Sequence, residues 1–327
     1  TVSSGPILKP ENFFPQLREA SPLPQDTAAG LYAIGLGLAK KVLLADNLGV
    51  LVNNGWGSLS ELTALTAWCV ILGYTLQLYF DFSGYCDLAA GCARLLGLRL
   101  PINFDSPYRS LSVTEFWKRW HMTLTAFLRE NVYFPLGGSR KGRGRTYLNI
   151  LVVYLVSGIW HGANFRYIAF GLWNGILITA SLLMERRFLS WKEKLHINDK
   201  STGWRIFMTV RTFGLVFIGR YFTRAPRLKT VFTLLGTTVL HPHFSEFTSV
   251  VPTLGLGISD FIIIFVGILI VHGVEFFEER GTDVQAWLNE RPALMQLTVL
   301  TVSLVVLLLF GIFRAGYISS EFIYKQF

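Results

Sequence analysis

The sequence is poor in charged residues. Only 16% of its 327 residues are Asp, Glu, Lys or Arg, whereas 51% are apolar. Soluble domains carry about 25% charged residues, so much of this surface faces something other than water. The chain also lacks a signal-peptide pattern and any long polar linker between its apolar segments. We therefore expect one integral-membrane domain over residues 1–327, in which the proline-containing segment 1–27 is loop with at most a short helix.

The familiar soluble-enzyme and metal motifs are absent as well. There is no GxSxG, HExxH or GxGxxG, and the three cysteines (Cys69, Cys86 and Cys92) form no CxxC pair. We read the cysteines as small packing residues and predict no metal site. The net charge of +9 lies in loops between apolar segments, which does not favour nucleic acid as a partner.

Apolar segments of the length that crosses a bilayer, about 20 residues, run through the whole chain. They predict six to eight crossings and hence a multi-pass protein of the cell membrane. The stronger candidates are 62–80, 147–163, 165–184, 206–222, 258–277 and 293–313, and the weaker ones are 28–44, which contains Lys40 and Lys41, and 228–240.

Two basic segments flank the pair of candidate spans in the middle of the chain. Residues 139–145 read SRKGRGR and residues 185–194 read ERRFLSWKEK. Both lie at one end of a helical hairpin, and positive loops mark the cytoplasmic side. The surrounding run PLGGSRKGRGR fails the phosphate-loop pattern, because Arg143 follows Gly142. Two interpretations of this run stay open: it is a solvated loop, or it attracts a phosphorylated donor.

Two further segments are too polar for simple spans. Residues 81–101 predict a short helix with Asp81 or Ser83 as its N-cap. The alternative for Asp81 and Asp87 is that they position a donor or orient a histidine. Residues 112–134 predict one amphipathic helix at the membrane interface or in a protein-walled cavity. Its buried stripe is Trp117, Trp120, His121, Leu124 and Leu128.

The histidines are the residues best suited to chemistry. His161 lies at the inner end of an apolar run, between Trp160 and Gly162, where an imidazole is costly unless it is hydrogen-bonded or used. It suits a general base, and a structural hydrogen bond is the alternative. His121 is read as a packing residue or as a supporting group. His196, His241, His243 and His272 are expected in loops or at helix ends.

Three ordered runs resemble one family closely. They read LYFDFSGYCDLAAGCARLLGLRLPINFDSPYRS, TEFWKRWHMTLTAFLRENVYFPLGGSRKG and SGIWHGANFRYIAFGLWNG. Together with GPILKPENFFPQL near the start and EFIYKQF at the end, they are similar to the membrane-bound O-acyltransferase (MBOAT) family. The nearest branch resembles the alginate O-acetyltransferase membrane component and related bacterial polysaccharide acetylation proteins. In that branch the terminal motif tends to read FIYFQF, whereas this chain has Lys325.

The resemblance implies an all-α polytopic membrane protein, a ring of transmembrane and re-entrant helices around a central tunnel. Further N-terminal helices are usual in the family and are missing here, so we expect this chain to be the C-terminal part of a longer protein. The resemblance also implies that an acyl thioester, acetyl-CoA or an acylated carrier protein, approaches from the cytoplasm as co-substrate. No bound cofactor is expected. The acceptor is a hydroxyl of an extracytoplasmic polysaccharide, often reached through a partner protein.

The family pattern maps its catalytic histidine, in WHG, onto His161 and its second histidine, in RWH, onto His121. The residues expected to position substrate or donor are Trp160, Asn164, Asp81, Trp117, Trp120 and Arg119. His161 could act as a general base or as a nucleophile that forms an acyl-imidazole. The alternatives to acetyl transfer are D-alanyl or other acyl transfer to teichoic acid, lipid or protein, and a proton-coupled transporter without chemistry.

Overall fold

The fold is helical throughout the part of the chain that the computed structural model describes. This part comprises residues 5–21, 23–57, 63–240, 254–311 and 322–323, and within it no β-strand forms. The all-α prediction is confirmed. His241, His243 and Lys325 lie outside the described residues.

The chain divides into two units, Thr1–Asn103 with Leu240–Gln326, and Phe104–Val239. The helices of the first unit are α1 Pro10–Glu19, α2 Pro24–Leu38, a π-helical segment Ala39–Ala45, α3 Asp46–Gly57, α4 Ala64–Leu95, α11 Ile258–Glu278, α12 Val284–Asn289 and α13 Ala293–Phe310. Those of the second are a 3₁₀ turn Pro107–Arg109, α5 Val113–Arg119, α6 Met122–Leu128, a π-helical segment Arg129–Tyr133, α7 Arg143–His161, α8 Phe165–Lys194, α9 Thr202–Arg224 and α10 Leu228–Leu240.

Close packing of α2 on α4 organises the first unit. A Cβ placed at Gly37 would lie 2.7 Å from the carbonyl oxygen of Gly84, and one placed at Gly91 would lie 2.6 Å from that of Gly30. Small residues at matched positions let two helix backbones approach in this way, which is a common packing mode in membranes. The two helices therefore run antiparallel in backbone contact.

The prediction of a short helix over 81–101 with Asp81 or Ser83 as its N-cap is wrong, because α4 runs unbroken from Ala64 to Leu95. Asp81 and Asp87 lie inside the 32-residue helix α4, where no N-cap is needed. Asp81 accepts a hydrogen bond from Lys41 at 2.7 Å, and Asp87 accepts one from Lys40 at 2.7 Å. Each carboxylate is paired with a lysine 40 or 47 residues earlier in the chain. Local sequence patterns do not reveal partners at such a distance.

Four helical runs among the described residues are long and apolar enough to cross a membrane. They are Asp26–Gly57, Phe165–Lys194, Ile258–Glu278 and Ala293–Phe310. The run Asp26–Gly57 contains the weaker candidate 28–44, whose Lys40 and Lys41 are ion-paired. The remaining predicted spans also form helices, which are more polar or shorter. The ring and its tunnel stay predictions.

The other sequence expectations have mixed outcomes. Segment 1–27 contains the short helix α1, as expected, but α2 already begins at Pro24, because proline is favourable in the first turn of a helix. His196 follows α8, as predicted. His272 is not at a helix end: it lies within α11, with its Nδ1 2.7 Å from Oε2 of Glu275, three residues on. The cysteines are free, with Cys86 buried and Cys92 exposed.

In the second unit, α7 and α8 form the predicted hairpin. A Cβ at Gly158 would lie 2.3 Å from the carbonyl oxygen of Tyr167, and one at Gly171 would lie 2.2 Å from that of Tyr154. The helices are therefore in backbone contact near their junction, where α7 ends at His161. Because α7 leaves the first basic segment and α8 returns to the second, both basic segments lie at the same end of the hairpin.

Candidate active site

The histidine of WHG ends α7. His161 is the last helical residue, and the chain turns away through Gly162 at φ +149°. A Cβ at Gly162 would lie 2.8 Å from the ring of Tyr167, so this turn requires glycine for both conformation and space. Asn164 then caps α8 by accepting a hydrogen bond from the backbone N–H of Arg166 at 3.1 Å. The turn at Gly162 thus ends α7 and places His161 at the end of the helix.

Aromatic rings surround His161. Its ring centroid lies 4.9 Å from that of Trp160, 5.8 Å from that of Phe170 and 6.3 Å from that of Tyr167. The residue is 9% exposed, whereas Trp160 is 36% exposed. An apolar wall of this kind excludes bulk water and strengthens any hydrogen bond that the imidazole makes.

The second histidine lies at a break in the predicted helix 112–134. Instead of one helix, the chain forms α5, an extended Trp120, a left-handed His121 at φ +46° and then α6. Trp120 forms a β-bridge with Phe104, and the Asp105 amide donates to the carbonyl of Arg119 at 3.0 Å. The prediction of an unbroken helix is wrong because this pairing captures the backbone, although no glycine or proline marks the position.

The stripe predicted on that segment is nonetheless buried. Its five members are all buried, and His121 is 1% exposed. Burial lowers the pKa of the His121 imidazole below its usual value, and the neighbouring His161 lowers it further. His121 is therefore held in the neutral form, in which one ring nitrogen is a donor and the other an acceptor.

The structure brings the two histidines together around one tryptophan. The ring centroid of His121 lies 5.9 Å from that of Trp160, whose other neighbour is His161. Their elements are α7 and the α5–α6 break, so residues 40 positions apart in sequence share one site. The two histidines that the family pattern identifies therefore share Trp160 as a neighbour.

Trp117 and Trp120 belong to the aromatic cluster that contains the two histidines. The indole N–H of Trp117 donates to Oδ1 of Asn174 at 3.1 Å, and its ring centroid lies 5.6 Å from that of Tyr154. Trp120 stacks on Phe116 at 5.4 Å between ring centroids. Both tryptophans are buried, and their role in positioning substrate or donor stays a prediction.

Two other predicted positioning residues have partners of their own. Arg119 forms an ion pair with Glu115 at 3.0 Å and donates to the carbonyl of Asp105 at 3.4 Å. Asp81 belongs to the first unit, where its carboxylate accepts from Lys41 and, at 2.8 Å, from the backbone N–H of Ile323. Their roles in substrate or donor positioning stay predictions.

Sequence reasoning missed two residues of this site. Asn174 is buried and bonds Trp117, while its amide donates to the carbonyl of Phe170 at 2.8 Å. Arg220, on α9, is 2% exposed with its Cζ 4.6 Å from the ring centroid of Trp120. A charge inside the apolar segment 206–222 was the available signal, because ionisable residues within membrane segments tend to be functional.

Comparison with known proteins assigns the family. The MBOAT, membrane-bound O-acyltransferase family, description matches residues 1–215. A peptidoglycan O-acetyltransferase of Helicobacter pylori is 37% identical over 236 residues, 71% of this chain and 43% of that protein. A probable alginate O-acetylase of Pseudomonas syringae is 32% identical over 282 residues, 86% of this chain and 52% of that protein.

A more distant relative carries a different acyl group in its name. A teichoic acid D-alanyltransferase of Bacillus subtilis is 26% identical over 231 residues, 68% of this chain and 58% of that protein. The chain spans about half the length of these relatives. With the family match over most of its length and its two histidines around one tryptophan, this chain belongs to the membrane-bound O-acyltransferase family.

Proposed function

We propose that the protein transfers an acetyl group from a cytoplasmic thioester to a hydroxyl of an extracytoplasmic polysaccharide or of a relay partner, in the plasma membrane. The observation that carries this is the position of His161, at the end of α7 beside His121 and Trp160. The names of the more similar relatives, O-acetyltransferase and O-acetylase, favour acetyl as the group and a glycan as the acceptor.

In this proposal His161 is the general base. It accepts the hydroxyl proton while the hydroxyl oxygen attacks the thioester carbonyl carbon, and the proton then goes to the departing thiolate. A positioned base contributes about 10²–10⁴-fold, roughly 3–5 kcal/mol of barrier. The remainder must come from holding both substrates in contact and from stabilising the charge that develops on the carbonyl oxygen.

The experiment uses the whole membrane protein in nanodiscs, with radiolabelled acetyl-CoA and an oligosaccharide. The unmodified protein should form labelled acetyl ester, and His161→Gln should form none above background. Exposed His196, replaced in His196→Asn, is the control and should retain full turnover. Substantial turnover in His161→Gln would remove His161 from the reaction.

Donor choice separates the alternatives. D-alanyl carrier protein should not replace acetyl-CoA, because the D-alanyltransferase relative is the more distant at 26% identity. Turnover with that donor alone would assign the protein to D-alanyl transfer. Movement of a solute without ester formation would favour the transporter instead. A labelled acyl-imidazole trapped on His161 would replace the general-base step by a nucleophilic one.

A further inference from the structure

Arg220 is a deeply buried cation that the steps above do not use. It lies in the C-terminal half of α9 and is 2% exposed. Its neighbour Gly219 packs on α8, since a Cβ there would lie 3.3 Å from the ring of Trp173 and 3.6 Å from that of Phe170. Burying an unpaired charge costs several kcal/mol, so such a residue is retained for a reason.

Two aromatic rings lie close to the guanidinium of Arg220. Its Cζ lies 4.6 Å from the ring centroid of Trp120 and 5.9 Å from that of Phe116. Cation–π contact of this kind holds the plane of the group and leaves its edges for hydrogen bonds. The edges are therefore where a ligand would bind.

One edge has no protein partner. Nε and Nη2 are both buried, and neither has a hydrogen-bond partner among the described residues. Within the same part of the chain, no carboxylate lies at ion-pair distance from Arg220. The Nε–H and Nη2–H bonds point the same way and form the fork that binds anionic oxygens with two hydrogen bonds.

The fork belongs to the same site as the histidines. Trp120, on which Arg220 stacks, directly precedes His121. The ring centroid of Phe170 lies 5.8 Å from that of His161, and a Cβ placed at Gly219, the neighbour of Arg220, would lie 3.6 Å from the same Phe170 ring. An oxygen bound by the fork would therefore lie in the same aromatic cluster as the proposed base.

We propose that Nε–H and Nη2–H of Arg220 bind the oxyanion that forms on the acyl carbonyl during transfer. The inference rests on the proposed function. When the acceptor oxygen bonds to the carbonyl carbon, the C=O π electrons move onto the carbonyl oxygen, and His161 takes the hydroxyl proton. When the C–S bond breaks, C=O re-forms and the thiolate leaves with that proton.

This role makes a prediction that a substrate-binding role does not. Donors that engage only the developing oxyanion act in the transition state, so their loss lowers kcat and leaves KM nearly unchanged. An arginine that binds a carboxylate or phosphate already present on a substrate would affect KM. Kinetics therefore distinguish the two sources of anionic oxygen.

The test compares Arg220→Gln and Arg220→Lys with Arg205→Gln in the whole protein in nanodiscs. Arg205 lies on the same helix and is exposed, so its replacement controls for loss of a positive charge from α9. We expect Arg220→Gln to lower kcat by at least about 10²–10³-fold, the usual loss for one oxyanion donor, because both N–H groups of the fork are removed, with KM within about twofold. Arg220→Lys keeps the charge without the fork and should lie between Gln and the unmodified protein. Added methylguanidine should restore part of the activity of Arg220→Ala.

Folding is monitored by gel filtration and thermal unfolding, and kcat is expressed per folded protein. A kcat close to that of the unmodified protein in Arg220→Gln would overturn the inference, and so would a raised KM with unchanged kcat. If Arg220→Gln does not fold, the Lys variant decides: full activity there would overturn the assignment of the fork. If the unmodified protein forms no ester with any thioester, the proposed function is refuted, and the oxyanion role with it. If the protein is active and its rate depends on His161 but not on Arg220, the inference about Arg220 is refuted and the proposed function stands.

Discussion

The indole N–H of Trp117 donates a hydrogen bond to Oδ1 of Asn174 at 3.1 Å and joins α5 to α8. Both residues are buried. Since α5 leads directly into the break at His121, this bond fixes one histidine-bearing segment against the helix that follows the other. It gives the site a rigid support that no local sequence motif encodes.

Asn174→Leu should destabilise the protein. It leaves the Trp117 N–H buried without an acceptor, which costs about 1–3 kcal/mol. The double variant Trp117→Phe/Asn174→Leu removes both polar partners and should recover part of that loss. Thermal unfolding in detergent of the two single variants and the double variant measures the coupling. Losses that simply add would show that this hydrogen bond does not stabilise the folded protein.

At His121 the effect of the imidazole can be measured separately from that of the backbone conformation. Its φ of +46° is a left-handed conformation, and exposed His196 has φ +49°. Asparagine tolerates this conformation better than most residues, so His121→Asn and His196→Asn form a matched pair in which only the first removes a site imidazole. We expect His121→Asn to fold normally and to lose about 10²-fold in turnover, within the range for a positioned acid–base group.

The same two variants should behave alike if His121 only packs. Equal turnover of His121→Asn and His196→Asn would return His121 to the role of a core residue. Turnover is measured as acetyl ester formed per folded protein, with folding checked by gel filtration.

Gly171, where α7 and α8 are in backbone contact, should tolerate no side chain. A Cβ at Gly171 would lie 2.2 Å from the carbonyl oxygen of Tyr154, closer than atoms can approach, whereas nothing lies within 4 Å of a Cβ at Gly144 on α7. Gly171→Ala should therefore separate the helices and lower stability by more than about 1–3 kcal/mol, the cost of overpacking. Gly144→Ala should be neutral or stabilise by up to about 1 kcal/mol through helix propensity.

Gly171→Ala should also affect activity, because a shift of α7 moves His161 at its end. Unfolding temperatures and turnover of the two variants give the comparison. An unchanged unfolding temperature in Gly171→Ala would mean that the helices are not in backbone contact there.

Long apolar segments were readable from sequence because burial in lipid sets their length. The segment 258–277 differs from the candidate span α11 by one residue, and 228–240 coincides with α10, a helix that is not among the four candidate spans. The end of α8 was missed: the predicted span stops at 184, but the helix runs to Lys194. Hydropathy indicates which residues can lie in lipid. The helix continues beyond them, because its backbone hydrogen bonds also form in a polar, charged segment.

Features fixed by tertiary contacts were not readable. The break at Trp120 and His121 depends on a backbone bridge to Phe104, and the role of Asp81 depends on Lys41. The environment of Arg220 depends on Trp120, a hundred residues earlier. In each case the local pattern permitted a regular helix or a cap, and a distant partner decided otherwise.

The buried lysine of the first unit provides the last test. Lys41 lies in the π-helical segment between two carboxylates, 2.9 Å from Asp46 and 2.7 Å from Asp81, and all three side chains are less than 10% exposed. Lys41→Met would leave both carboxylates buried without their cation and should cost about 3–5 kcal/mol. Arg99 is the control, because it lies 3.6 Å from Asp26 with its side chain 65% exposed.

Arg99→Met should change stability by no more than about 1 kcal/mol, as is usual for exposed pairs. The two variants are compared by chemical unfolding in detergent at one pH and ionic strength. Equal losses would mean that water reaches Lys41, in which case the run Asp26–Gly57 could not lie across a bilayer with these charges buried. A large difference would support the view that ion pairing is what allows a segment with two adjacent lysines to form part of a membrane-embedded unit.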